Sequence, residues 1–381
     1  MNRLSWRRML RWLHLWMGLT VGALFALIAL TGSLLVFYPE IDAALNPGMH
    51  DDRLAAPAAY DRAIIVLRDT YPDKTGPWRL EVTGAPGPIP ARYYNPPETA
   101  GRAFAPMMVW LSADGERILR RDWWGDYAMT LVYDLHYRLL AGHIGAIVVG
   151  WLGVASALLL LSGLATWWPK GSLHKALRWR QSAPPLRRLR DWHKLVGLGA
   201  LLPLTMLALT GAMLALPDES EAVLSPLLGP VDPPPKDGMI MPGIGTEISP
   251  ADATVIAQQA LPNTRVAWIE VPGIGDCCYR IRLQQPTDPS RRFPHSFVRV
   301  DRYTGQPLAI QDAEQAGRHS RLNNWLHPLH DGSFGGIATR IATVLVGLLP
   351  LLLMVTGVYR WQLRRSLNKR AASSQRGDGS P

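Results

Sequence analysis

His14-Leu-Trp-Met-Gly18, followed by Ala29-Leu-Thr31-Gly32 and Pro39-Glu40, returns later in the chain as His193-Lys-Leu-Val-Gly197, Ala208-Leu-Thr210-Gly211 and Pro217-Asp218. In both copies the histidine stands 17 residues before the threonine and four before a glycine. A second pair keeps its own register. Leu135-His136 lies 27 residues before Gly163, Leu329-His330 lies 27 before Gly357, and a Trp follows each of these glycines by four (Trp167, Trp361). Four histidines in two matched registers on four apolar segments have the pattern of paired axial ligands in a helical bundle. A bis-histidine haem needs one imidazole from each of two facing helices.

The chain has 381 residues, a net charge of +10 and 48% hydrophobic residues. The apolar residues gather in four runs (15–37, 144–168, 195–216 and 341–359) that contain no Asp, Glu, Lys, Arg or His. Each is long enough to cross a bilayer core of ~30 Å as a helix, which predicts an integral membrane protein. Arg3, Arg7, Arg8 and Arg11 precede the first run. Lys170, Lys175, Arg178, Arg180, Arg187, Arg188 and Arg190 crowd the link between the second and third, against Asp191 alone. Arg360, Arg364, Arg365, Lys369, Arg370 and Arg376 follow the fourth. If the helices alternate, all three clusters share one side, and the positive-inside rule makes that side the cytoplasm. The basic balance is then a signal of topology more than of nucleic acid. The first run matches the third, which cannot be a signal peptide, and no Ala-x-Ala site ends it, so it reads as a retained span.

The expected layout is a helix over 11–38, an outer module over 39–135, a helix over 136–168 and a basic cytoplasmic link over 169–192. A helix over 193–216, a second outer module over 217–326, a helix over 327–361 and a cytoplasmic tail over 362–381 complete it. In the second module Ser249-Pro-Ala-Asp252 opens a capped helix, strands are predicted near 265–271, 279–283 and 296–300, and Asp301-Arg-Tyr-Thr-Gly305 makes a turn before Gln306-Pro-Leu-Ala. The first module is a looser version, with a helix near 60–70, strands near 78–83 and 106–111, and a turn at Ser112-Ala-Asp-Gly115. Val231-Asp-Pro-Pro-Pro235 reads as a linker. Both modules are therefore expected to be separate α+β units.

Over nearly its whole length the chain resembles the PepSY-associated transmembrane proteins, built as helix, PepSY module, helix, twice. The resemblance is carried by His14…Gly18…Thr31-Gly32, by His193…Gly197…Thr210-Gly211, by the helix-then-strands segment ending Val300-Asp-Arg-Tyr-Thr-Gly305, and by Trp325-Leu-His327-Pro-Leu-His330-Asp-Gly332. Within that family it is most similar to the inner-membrane ferric-siderophore reductases of the FoxB type. The resemblance implies four membrane helices in two pseudo-repeats with two PepSY-like modules in the periplasm, and a ferric siderophore as electron acceptor.

His14 and His193 fall at the cytoplasmic start of parallel helices, His136 and His330 at the outer start of helices running back. The expectation is two non-covalent b-type haems, one axially held by His14 and His193, the other by His136 and His330. His143 and His327 lie near the outer face without a histidine partner in the other repeat, and either is an alternative member of the outer pair. With Arg138 they are also candidate contacts for the chelate. An unbroken helix would put His136 ~40 Å from Gly163, a difficulty for electron transfer between the pairs. His174 reads as exposed, and His50, His295 and His319 as surface or substrate-contact residues. The glycines Gly18, Gly32, Gly150, Gly153, Gly163, Gly197, Gly211, Gly347 and Gly357 suit close approach of helices or of a flat macrocycle. Trp123-Trp124, Trp167-Trp168, Trp325 and Trp361 read as an aromatic belt.

Cys277-Cys278 give no disulfide framework and no Cys-x-x-Cys-His for covalent haem; they read equally as a vicinal disulfide or a thiol pair. Gly243-x-Gly245 and Gly273-x-Gly275 are not a dinucleotide fingerprint. Electrons would have to come from membrane quinol or a separate cytosolic reductase. The reading is an inner-membrane dihaem b-type reductase that passes electrons outward to a ferric siderophore and releases Fe(II). Its rival is a haem-free PepSY protein acting in iron-chelate transport or as a regulator that binds peptides or proteases.

Overall fold

The computed structural model describes residues 3–169, 171–179, 182–233 and 245–377. Lys170, Arg180, Pro234, Pro235 and Gly243, all named above, lie outside them. The chain opens with α1 (Arg3–Leu19), α2 (Val21–Leu35), α3 (Tyr38–Leu45) and α4 (Pro57–Thr70). Strands β1 (Trp78–Glu81), β2 (Ile89–Tyr93), β3 (Met107–Leu111) and β4 (Ile118–Trp123) lead to α5 (Ala128–Arg138) and α6 (Gly142–Trp167). After α7 (Leu173–Leu177) the plan repeats as α8 (Pro185–Gly199), α9 (Leu201–Ala215), α10 (Pro217–Leu228) and α11 (Pro250–Ala260). Then come β5 (Arg265–Val271), β6 (Cys278–Gln284), β7 (Ser296–Asp301), β8 (Pro307–Gln311), α12 (Arg318–Asp331) and α13 (Gly336–Gly377).

Among the described residues α6 and α13 are each long and apolar enough to cross a membrane. Two further pairs pass the same test together, α1 with α2 at a bend of 44° and α8 with α9 at 58°. Leu27, Leu30, Leu158, Leu202, Leu345 and Leu352 are exposed on these helices, as side chains that face lipid are. Small residues let the helices meet across the repeats. A Cβ at Gly153 would meet the Ala208 carbonyl at 2.6 Å, and one at the equivalent Gly347 would meet Ser33 and the Ala29 carbonyl. So α6 rests on α9, and α13 on α2.

The helix expected over 136–168 is two helices. Leu139 and Leu140 both take positive φ (49° and 58°), a left-handed pair that stops α5 and turns the chain. The second repeat breaks at Gly332 (φ 74°), followed by the single turn Ser333–Gly335 and by Gly336 (φ 69°). Thus α5 folds back onto α2 and α12 onto α9. The ~40 Å separation computed for an unbroken helix does not apply.

The two strand-bearing modules are not separate either. Their strands form one antiparallel sheet, β4-β3-β2-β1-β5-β6-β7-β8, joined where Trp78 pairs with Val271 and Leu80 with Ile269. Each half would otherwise leave an open central edge, and the pairing satisfies both rows of backbone groups. Side chains alternate across the strands. One face (Leu80, Ala91, Val109, Ile269, Ile281, Val298) meets Ala59, Ala63, Leu67, Ala253 and Ala257 of α4 and α11 in a single apolar core. Ser249 caps α11 by accepting from the Asp252 N–H at 3.1 Å, as expected. The opposite face carries Arg79, Arg92, Trp110, Trp268, Arg280 and Arg282, and is turned toward the helices at the α3 and α12 end of the bundle. There Arg120 of β4 meets Asp42 of α3 at 3.1 Å and the Phe293 ring lies 5.8 Å from that of His327 on α12.

Candidate functional site

The four repeat-matched histidines come together in two facing pairs. The rings of His14 and His193 lie 6.3 Å apart, centroid to centroid, with planes at 81°. Those of His136 and His330 lie 6.0 Å apart at 47°. Two imidazoles on opposite sides of one metal, with bonds of about 2 Å each, place their centroids about 6 Å apart. Each pair takes one ring from each repeat.

Every ring is seated on a glycine of the neighbouring helix in its own repeat. A Cβ at Gly32 would stand 2.7 Å from His136 Cε1, at Gly211 2.8 Å from His330 Cε1, at Gly163 3.1 Å from His14 Cε1, and at Gly357 3.4 Å from His193 Cε1. The residue before each glycine carries a hydroxyl, which meets the same ring's Nδ1: Ser162 to His14 at 2.8 Å, Thr31 to His136 at 3.3 Å, Thr356 to His193 at 3.2 Å and Thr210 to His330 at 3.1 Å. All four hydroxyls donate their one proton to a carbonyl of their own helix, at 2.7 Å for Ser162 and 2.8 Å for Thr31, Thr210 and Thr356. Each oxygen must therefore accept from the histidine. His136 Nδ1 also donates to the Ile28 carbonyl at 2.9 Å. All four rings are thus held as the Nδ1–H tautomer, leaving Nε2 bare. An outer partner fixes a metal-binding histidine in this way.

The donor sets suit a haem. Each pair offers two nitrogens, too few to enclose a bare ion but the number an iron already held by four porphyrin nitrogens requires. Among the described residues no group of three or more His, Cys, Asp or Glu is placed to hold a metal ion directly. A Cβ at Gly18, one turn beyond His14, would meet nothing within 4 Å, so that face has room for a flat group. Arg360, within electrostatic reach of His193, has a buried Nε with no acceptor among the described residues, suited to a carboxylate on such a group.

The glycines thus divide: Gly32, Gly163, Gly211 and Gly357 seat rings, whereas Gly150, Gly153 and Gly347 meet neighbouring helices and Gly197 only the end of Leu353. His143 is exposed and makes no ring pair, and His327 pairs with Phe293 instead of a histidine. Arg138 lies 3.7 Å from Asp134 and stacks on Phe104 and Tyr137. His174 is exposed; His50 is exposed beside Asp52; His295 is half-buried near His327. His319 is not a surface residue: it is 2% exposed and its Nδ1 donates to the Gly229 carbonyl at 3.0 Å, tying α12 to the end of α10. Trp124, expected in the aromatic belt, is instead buried among Tyr38, Phe104 and Tyr133. Cys277 and Cys278 are bonded to each other.

The PepSY-associated TM region matches residues 11–364. The chain belongs to that family. An uncharacterized protein of Pseudomonas aeruginosa is 25% identical over an alignment of 263 residues that covers 63% of this chain and 64% of that protein. The chain thus spans somewhat under two thirds of that relative's length. All four ring-seating hydroxyl–glycine pairs lie inside the PepSY-associated TM match.

Proposed function

We propose that this chain is an inner-membrane, dihaem b-type reductase with four spans in two pseudo-repeats, which carries electrons outward to a ferric siderophore. The reading rests above all on the two facing imidazole pairs, each ring wedged on a glycine and locked by a hydroxyl. His14 and His193 would hold one haem and His136 and His330 the other; bound there, the haems would supply one-electron transfer between the ends of the bundle. The protein's part is to fix the ligand tautomers through Ser162, Thr31, Thr356 and Thr210, to hold the rings in register, and to enclose both sites in apolar helices. His14 and Gly32, which mark the two levels, are 18 residues apart along α1 and α2, about 25 Å by helical rise.

Orientation follows from charge. Arg7, Arg8 and Arg11 of α1, Arg187, Arg188 and Arg190 of α8, and Arg364 and Arg365 of α13 gather at the His14–His193 end, while the sheet covers the other. The positive-inside rule puts the basic end in the cytoplasm and the sheet in the periplasm. Quinol or a separate cytosolic reductase would supply electrons at the basic end. At the sheet, one-electron reduction of the chelated ferric ion would release Fe(II), which hard oxygen donors hold far less well. Reporter fusions at Ser182 and Gly275 are expected to report opposite sides, and fusions reporting the same side would refute the topology.

A functional assay follows. Detergent-solubilised protein, reduced with dithionite and freed of excess reductant, should reoxidise when a ferric siderophore is added, with Fe(II) trapped by ferrozine. No reoxidation by any ferric chelate would contradict the reading. The glycine seats give a sharper variant. Gly32→Leu drives a side chain into the His136 ring, so it should lose about half the haem, that of the outer pair, while Gly48→Ala, facing open space in the turn Pro47–Met49, should lose none. Equal haem in both variants would show that the ring does not need its glycine seat.

A further inference from the structure

We infer, building on the reductase reading, that the helix-facing side of the sheet binds an anionic aromatic group of the ferric chelate: a catecholate, phenolate or aryl carboxylate ring received between Arg282 and Trp268. The alternation of Arg280-Ile-Arg282 on β6, with Arg79 on β1 and Arg92 on β2, sends four guanidinium groups to the face away from the apolar core. With Trp268 and Phe293 they line a small cleft of about 50 Å3. That is far below the size of a pocket that encloses a whole ligand, so it would take the edge of one ring of a chelate and not all of it.

Charge in the cleft is unbalanced. Arg79 pairs with Glu270, while Glu81 is shared by Arg292 at 2.7 Å and Arg92 at 3.7 Å. Counting Arg79, Arg92, Arg280, Arg282 and Arg292 against Glu81 and Glu270, five cations face two anions, a surplus of three. The Arg282 side chain makes no ion pair or hydrogen bond among the described residues, and burial, then the charges of Arg280 and Arg79, push its guanidinium down to about 10. Nε of Arg92 and Nε of Arg280 are buried without acceptors among the described residues. Burying unpaired cations is costly unless a counter-charge arrives.

The aromatic walls are equally specific. Arg92 lies 4.7 Å over the Trp268 ring, and Trp268 and Phe293 are nearly parallel, 14° between planes with centroids 6.0 Å apart. Flat walls among guanidinium groups favour a planar, negatively charged ring. The location suits delivery of an electron. Phe293 touches His327, which stands one helical turn before His330 on α12, so the cleft lies beside the outer pair.

The test uses gallium(III), which takes the place of iron(III) but is not reduced, so binding is read apart from electron transfer. Purified full-length protein is titrated, following tryptophan fluorescence, with the gallium complex of an anionic tris-catecholate chelator and with that of a neutral tris-hydroxamate. The anionic complex should bind at least about 10-fold more tightly; Arg282→Gln should weaken it by about 10-fold, about 1.4 kcal/mol, without changing the haem spectrum, and Arg282→Lys should keep most of the binding. Equal affinity for the two complexes, or unchanged binding by Arg282→Gln, would overturn the inference. So would loss of the outer haem in Arg282→Gln, because the cluster would then serve the cofactor's own carboxylates. Anion-selective binding by a protein without haem would refute the reductase reading and leave the anion site standing.

Discussion

His193→Ala is expected to remove about half of the bound haem while the chain still inserts in the membrane. The expectation follows from the arrangement of the pairs. His193 faces only His14, 6.3 Å away, so its loss leaves one axial nitrogen at the inner site. The outer rings stay wedged on Gly32 and Gly211 with their own hydroxyl partners. Alanine adds no bulk between α8 and α13, and the helix contacts through Gly153 and Gly347 lie elsewhere. Pyridine haemochrome content per chain is the measurement. Unchanged haem would mean that the inner pair is not a ligand pair, and loss of all haem would mean that the two sites are not independent.

His330→Ala should have the larger functional effect. It removes one ring of the outer pair, which stands 6.0 Å from His136, and so should leave the inner haem reducible but abolish reduction of an external ferric chelate. The defect would lie in delivery and not in folding, because α12 keeps its contact with α9 and its His319 tie to Gly229. His327→Ala should be milder: its ring touches Phe293, and no histidine faces it. Stopped-flow absorbance of haem reoxidation by the chelate separates the two variants. Loss of the outer haem in His327→Ala, with retention in His330→Ala, would require the outer pair to be reassigned.

The histidine registers were legible because a duplicated chain repeats its chemistry at fixed spacing: His14 and His193 mark one level, His136 and His330 the other. The threonines of Thr31-Gly32 and Thr210-Gly211 drew notice only as repeat markers. Their counterparts Ser162-Gly163 and Thr356-Gly357 carried the same hydroxyl–glycine signal, and the ring-locking role needed the structure. The break at Leu139-Leu140 was not legible, since leucine favours helix, yet both residues take the left-handed region where α5 folds back on α2. Nor was the joining of the two modules. Pairing of β1 with β5 links distant segments and leaves no local mark, so each module read as a unit of its own. The arginine alternation on β6 was visible in Arg280-Ile-Arg282, but which face of the sheet it served depended on where α4 and α11 came to rest.

The most direct measurement is the haem content of the purified chain, by reduced-minus-oxidised spectrum and pyridine haemochrome. The account predicts a b-type, low-spin spectrum and two haems per chain, one for each histidine pair. Protein that folds and inserts but shows no Soret or α band would contradict it.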